Sequence, residues 1–124
     1  MSKAMVIDDS RAIRMILART LRQLGYEVAE AQDGREALAV LDRNAAEVEL
    51  ILVDWNMPEM NGLEFIKRVR AQDRYKDLKL MMVTTETQVE QMMAALDAGA
   101  NEYVMKPFTR EVIEDKLRVL GILQ

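Results

Sequence analysis

The chain has 124 residues and contains neither cysteine nor histidine. Without thiols there is no disulfide framework and no thiolate metal site. Without imidazole there is no Ser-His-Asp triad, no histidine zinc ligand and no histidine phosphoacceptor within the chain. Aromatic residues make up only 5%, with a single tryptophan, Trp55. There are two prolines and five glycines, and no linker, low-complexity tract or repeat is evident. The net charge is −4 and no Lys/Arg stripe stands out, so the basic footprint of direct DNA or RNA binding is missing. No signal-peptide pattern opens the sequence, and no apolar run is long enough to span a bilayer. The expectation is a cytoplasmic protein with no membrane partner.

What remains is an ordinary globular composition, 50% apolar and 31% charged. This length suits one domain with its own core. Apolar runs alternate with helical periodicity. Strands are predicted at Lys3–Ile7, Glu27–Ala31, Leu50–Val53, Leu80–Thr84 and Glu102–Val104. The first helix carries Ile13, Ile16, Leu17, Leu21 and Leu24, with Ser10 as its N-cap and Gly25 as its stop. A second covers Gly34–Arg43 with Ala37, Leu38 and Leu41. A third carries Leu63, Ile66 and Val69. Val89, Met92, Met93 and Leu96 mark a fourth, ending near Gly99. Val112, Ile113, Leu117 and Leu120 mark a fifth. Five βα units in order imply a doubly wound parallel α/β sheet with helices on both faces. Strands one, three and four are nearly all apolar, as central strands should be.

Asp8 and Asp9 follow strand one, Asp54 follows strand three, Thr84 and Thr85 close strand four, and Lys106 follows strand five. In a parallel sheet all these ends lie on one edge, where open α/β sheets bind ligands. In the doubly wound order 2-1-3-4-5, strands one and three are neighbours about 4.8 Å apart. Asp8, Asp9 and Asp54 would then share one pocket. Three close carboxylates resist ionising together, and a hard cation such as Mg²⁺, which prefers oxygen ligands, resolves the repulsion. A carboxylate nucleophile, a metal, an ammonium and a hydroxyl suit phosphoryl transfer to an acid, giving an acyl phosphate.

Each residue taken singly also has a plain structural role. Asp8-Asp9 would cap a helix, Asp54 would start a turn, Thr84 would satisfy a local backbone group, and Lys106 would be a solvated loop residue. Tyr103 would pack on a half-buried strand, and Met81, Met82, Met92 and Met93 would fill the core or its edge. Together these roles leave the convergence on one sheet edge as coincidence.

The segments "VIDDS", "VDWNMPEMNGLEF", "MVTTE" and "YVMKPF", in this order and spacing, resemble the receiver domain of bacterial response regulators. The resemblance covers essentially residues 1–124, and "DWNMPEMNG" with "TTE" is most similar to single-domain chemotaxis regulators. It implies a flavodoxin-like (βα)5 fold of order 2-1-3-4-5, one receiver domain and no output domain. It implies Asp54 as phosphoacceptor and a Mg²⁺ held by Asp9, Asp54 and the Asn56 backbone carbonyl, with Asp8 acting through water. Lys106 would contact the phosphoryl group, and Lys106-Pro107 would be a cis peptide. Thr84 and Tyr103 would form the switch, with Thr84 turning inward and Tyr103 moving from exposed to buried. Asn56 and Glu86 match positions that tune dephosphorylation. Thr85 is bulkier than the small residue often found there and would narrow access to Asp54.

The implied function is a two-component signalling switch, charged by a histidine kinase and read by a flagellar motor switch protein, with a monomer as the expected state. The docking face would include Gln91, Ala95, Tyr103 and Lys116. A phosphorelay intermediate that passes the phosphoryl group to a histidine phosphotransfer protein is the alternative. An aspartyl-nucleophile phosphatase fits less well, because Asn56 stands where such enzymes place an acid. A pure binding module would have no need of these acids, Thr84 and Lys106. A flavin carrier would need a phosphate loop after strand one. The protein is therefore not expected to be an enzyme acting on a free substrate, beyond its own phosphorylation and dephosphorylation.

Overall fold

The computed structural model describes residues 2–43, 47–85 and 88–123. In chain order the elements are β1 (Lys3–Ile7), α1 (Arg11–Gln23), β2 (Glu27–Ala31), α2 (Gly34–Arg43), β3 (Val48–Val53), α3 (Gly62–Arg70), β4 (Lys79–Thr84), α4 (Val89–Ala98), β5 (Glu102–Met105) and α5 (Arg110–Val119). The sheet is five-stranded and parallel, in the order β2-β1-β3-β4-β5. This is the predicted flavodoxin-like arrangement.

The period-two alternation of strand side chains divides the core between the two faces. Met5, Ile7, Ile51, Val53, Leu80 and Met82 point to one side and pack with Leu41, Phe65, Ile66 and Ala95 from α2, α3 and α4. Ala4, Val6, Leu50, Leu52, Met81 and Val83 point to the other, against Leu17 and Leu21 of α1 and Ile113 and Leu117 of α5. Four helix starts are capped, α1 by the predicted Ser10. Ser10, Asp33, Asn61 and Thr109 accept hydrogen bonds from the backbone N–H groups of Ile13, Glu36, Glu64 and Val112, each satisfying a donor that the helix itself leaves open.

Some boundaries differ from the sequence reading. β3 begins at Val48 rather than Leu50, because Val48 pairs with Lys3 across a register shift. β4 gains Lys79, and β5 gains Met105 through its pairing with Thr84. A 3-10 turn at Asp73–Tyr75 had no periodic signal, yet it buries Tyr75.

The larger difference is α4. Val89, Met93 and Leu96 are 67%, 57% and 45% exposed, while Ala95 is fully buried. Spacing of i, i+4 and i+7 puts the large residues on one stripe, but the stripe carrying Met92 and Ala95 faces the sheet. Ile16 on α1 is likewise half exposed. Among the described residues no helix is long and apolar enough to cross a membrane.

Candidate functional site

The register brings the acids together. Ile7 and Val53 are paired across β1 and β3, and the Asp54 N–H donates to the Ile7 carbonyl at 3.0 Å. Asp8 and Asp54 therefore leave neighbouring strands side by side. One carboxylate oxygen from each of Asp8, Asp9 and Asp54 lies within 4.8 Å of the others. Asp8 and Asp54 are buried, whereas Asp9 is exposed.

β5 delivers Lys106, whose N–H donates to the Thr84 carbonyl at 2.9 Å. The Lys106 ammonium donates to Asp8 Oδ2 at 2.7 Å and to Asp54 Oδ2 at 3.4 Å, so it sits among the acids. The Lys106-Pro107 peptide is cis. Asp8 is held on all sides. Its N–H donates to the Ala31 carbonyl, its Oδ1 accepts from the Ser10 N–H at 2.9 Å, and its backbone carbonyl accepts from the Arg14 guanidinium at 2.7 Å. Ser10, not the Asp8-Asp9 pair, caps α1.

Burial pushes the Asp54 carboxyl above its ordinary range, and the neighbouring Asp8 charge adds to the shift. Hydrogen bonds from the Thr84 hydroxyl and the Asn56 backbone N–H, together with the Lys106 ammonium, pull the other way. Asp54 Oδ1 is left buried with no hydrogen-bond partner. A buried carboxylate oxygen without a donor costs free energy, and a cation, water or covalent substituent would relieve it. Three oxygen-bearing side chains around such an atom form a donor set for a hard divalent ion rather than a soft one.

Of the other predicted site residues, Thr84 is fully buried and turned toward Asp54. Tyr103 is 8% exposed, already in the buried position. Asn56 and Thr85 are exposed beside the site, while Glu86 lies outside the described residues. Ala95 does not belong to a docking surface. It is buried on the sheet-facing side of α4, whose exposed large apolar residues are Val89, Met93 and Leu96.

Two residues at the site escaped the sequence reading. Arg14 carried no signal, being one of several arginines on an amphipathic helix. Gly62 stands in the segment "DWNMPEMNG" with no role of its own legible there, but a Cβ at this position would collide with the Asp54 carbonyl oxygen.

Comparison with known proteins agrees with this geometry. Residues 4–118 match the model of the response regulator receiver domain. The chain is 48% identical to chemotaxis protein CheY1 of Helicobacter pylori, over 95% of both chains. It is also 48% identical to a chemotaxis protein CheY homolog of Campylobacter jejuni, over 96% of this chain and 92% of that one. The crystal structure of the chemotaxis response regulator CheY4 of Vibrio cholerae superposes with a TM-score of 0.88 at 42% identity, covering 97% of this chain and 98% of the other. The strand order, the acids grouped at the sheet edge and the matched span of sequence agree: the chain belongs to the response regulator receiver domain family.

Proposed function

We propose that the protein is a phosphorylation-dependent switch of a two-component system, with Asp54 as the phosphoacceptor. The observation that carries this reading is the Asp54 Oδ1 atom, buried and unpartnered between two further acids and a lysine. In the reaction, an Asp54 oxygen attacks the phosphorus of a phosphohistidine on a histidine kinase. The phosphorus–nitrogen bond breaks, the imidazole leaves with the electron pair and takes up a proton, and an acyl phosphate forms on Asp54.

Asp9, Asp54 Oδ1 and the Asn56 carbonyl would hold Mg²⁺ directly. Asp8 stands one step removed, because both its oxygens are already engaged by Ser10 and Lys106. Bound there, the ion would neutralise the charge that spreads over the transferring oxygens. Lys106 would leave the two carboxylates for the phosphoryl group, and the buried Thr84 hydroxyl would bond a phosphoryl oxygen. Contacts of this charge-assisted kind contribute about 1.5–3 kcal/mol each. Together they approach the roughly 5 kcal/mol that a full reversal of a two-state equilibrium requires.

The surface that reports the change is formed by α4, β5 and α5. It carries the exposed apolar residues Val89, Met93 and Leu96 of α4 and the Lys116–Glu102 ion pair between α5 and β5. Because the relatives are chemotaxis proteins, a flagellar motor switch protein is the proposed reader. Exposed Asn56 and Thr85 would govern the approach of water to the acyl phosphate, and the family resemblance gives Glu86 the same role. Intact mass after incubation with acetyl phosphate and Mg²⁺ tests the central claim. An increment of one phosphoryl group is expected, absent without the ion and absent in Asp54→Ala. An unchanged mass in the folded protein, or an increment that survives in Asp54→Ala, refutes it.

A further inference from the structure

We propose that Arg14 is a positioning residue that sets the affinity of the acidic site for a divalent cation, with Glu30 orienting it. This rests on the metal site proposed above. Arg14 lies one turn into α1, and its side chain is 16% exposed. Its Nη1 donates to the Asp8 carbonyl at 2.7 Å, and its Nε faces Glu30 Oε1 on β2 at 3.5 Å. One planar, rigid guanidinium thus spans α1, the end of β1 and β2.

The bonded atom is the important detail. The Asp8 carbonyl and the Asp9 N–H belong to one planar peptide unit. Holding that carbonyl fixes the plane from which Asp9 departs. Asp9 is the exposed acid of the trio, and no hydrogen bond or ion pair holds its carboxylate among the described residues. Its placement therefore depends on its backbone, and Arg14 holds that backbone at the Asp8 carbonyl, beside the bonds from the Asp8 N–H to Ala31 and from the Ser10 N–H to Asp8 Oδ1. Groups that orient a metal ligand in this way commonly carry 10–100-fold in metal affinity.

A competing effect has the opposite sign. Arg14 is a cation near a cation site, so removing it would by itself tighten Mg²⁺ binding. The direction of the change separates the two roles. Arg22 is the natural control. It reaches the same Glu30 at 3.9 Å but makes no bond to Asp8.

The experiment titrates Mg²⁺ into the full chain and follows the amide resonances of Asp9 and Asn56. It also measures hydrogen exchange at the Asp9 amide without metal. Arg14→Met keeps the aliphatic stem packed and is expected to raise the Mg²⁺ dissociation constant about tenfold and to speed exchange at Asp9. Arg14→Lys should recover part of the affinity, Glu30→Gln should lose less than Arg14→Met, and Arg22→Met should bind as wild type. Tighter or unchanged binding in Arg14→Met overturns the proposal, even if exchange is faster, because Arg14 would then brace the fold without serving the metal. A wild-type protein whose site resonances ignore millimolar Mg²⁺ would overturn the metal site itself, an outcome distinct from a wild-type affinity in Arg14→Met.

Discussion

Asp54 carries one buried oxygen with no donor, in a carboxylate that already faces Asp8 and Asp9. Without a cation its charge is a net cost to the fold, since burial outweighs the help from Thr84 and Lys106. Removing that charge should stabilise the metal-free protein. Asp54→Asn leaves Lys106 paired with Asp8 at 2.7 Å. The variant is expected to melt about 2–4 °C above wild type in chelator at neutral pH, equivalent to about 1 kcal/mol. The raised pKa fixes the sign with pH. Asp54 favours folding most when protonated, and that contribution is lost as pH rises through the folded pKa. The advantage of the variant should therefore shrink toward acid pH. Excess Mg²⁺ should reverse the order, stabilising wild type by mass action and the variant less. Paired thermal melts, with chelator and with Mg²⁺, check both arms. A metal-free variant less stable than wild type would show that Asp54 is satisfied within the apo fold.

At the scale of elements, the start of α3 must pass directly over the backbone of Asp54. The Gly62 N–H donates to the Trp55 carbonyl at 2.8 Å, and a side chain at Gly62 would meet the backbone of Asp54 and Trp55. Backbone cannot rotate away as a side chain can. Gly62→Ala is therefore expected to cost about 1–3 kcal/mol and to slow labelling by acetyl phosphate. Gly25, after α1, is a different case. Nothing lies within 4 Å of its would-be Cβ, but its φ is +100°. Gly25→Ala should cost stability through backbone strain, about 1–2 kcal/mol, with the labelling rate unchanged. Urea denaturation alongside labelling kinetics separates the two glycines. Equal labelling rates in both variants would contradict the contact at Gly62.

For the molecule as a whole, the sheet edge opposite the acids is closed by contacts between distant segments. The Tyr26 hydroxyl donates to the Ile122 carbonyl at 3.4 Å, 96 residues away in sequence. Burial first, then the nearby Glu49 carboxylate on β3, raise its pKa from 10.0 to about 12. Since the folded pKa is raised, the stabilisation is fully present below pH 10 and fades as pH climbs through about 12. Tyr26→Phe should lose about 1 kcal/mol at neutral pH and show a shallower fall in stability across that alkaline window. Chemical denaturation at neutral and alkaline pH checks this, and parallel slopes for the two proteins would rule it out.

Much of this architecture was legible from residues alone, because its causes are local. Short apolar runs such as "KAMVI" and "LILV", helical spacing in α1 and α5, and caps such as Ser10 act over a few residues, so the ten elements could be placed in order. The acids and Lys106 were legible as strand-end residues, and a parallel sheet puts such ends on one edge. Tertiary structure alone decided what depends on which surfaces meet. It turned Val89, Met93 and Leu96 outward while burying Ala95. It threaded Lys106 between Asp8 and Asp54 rather than opposite them. It aimed Arg14 at the Asp8 carbonyl, and it left one Asp54 oxygen without a donor. Periodicity is a short-range property of the chain, whereas a hydrogen bond between residues 98 positions apart exists only once the sheet has set their distance.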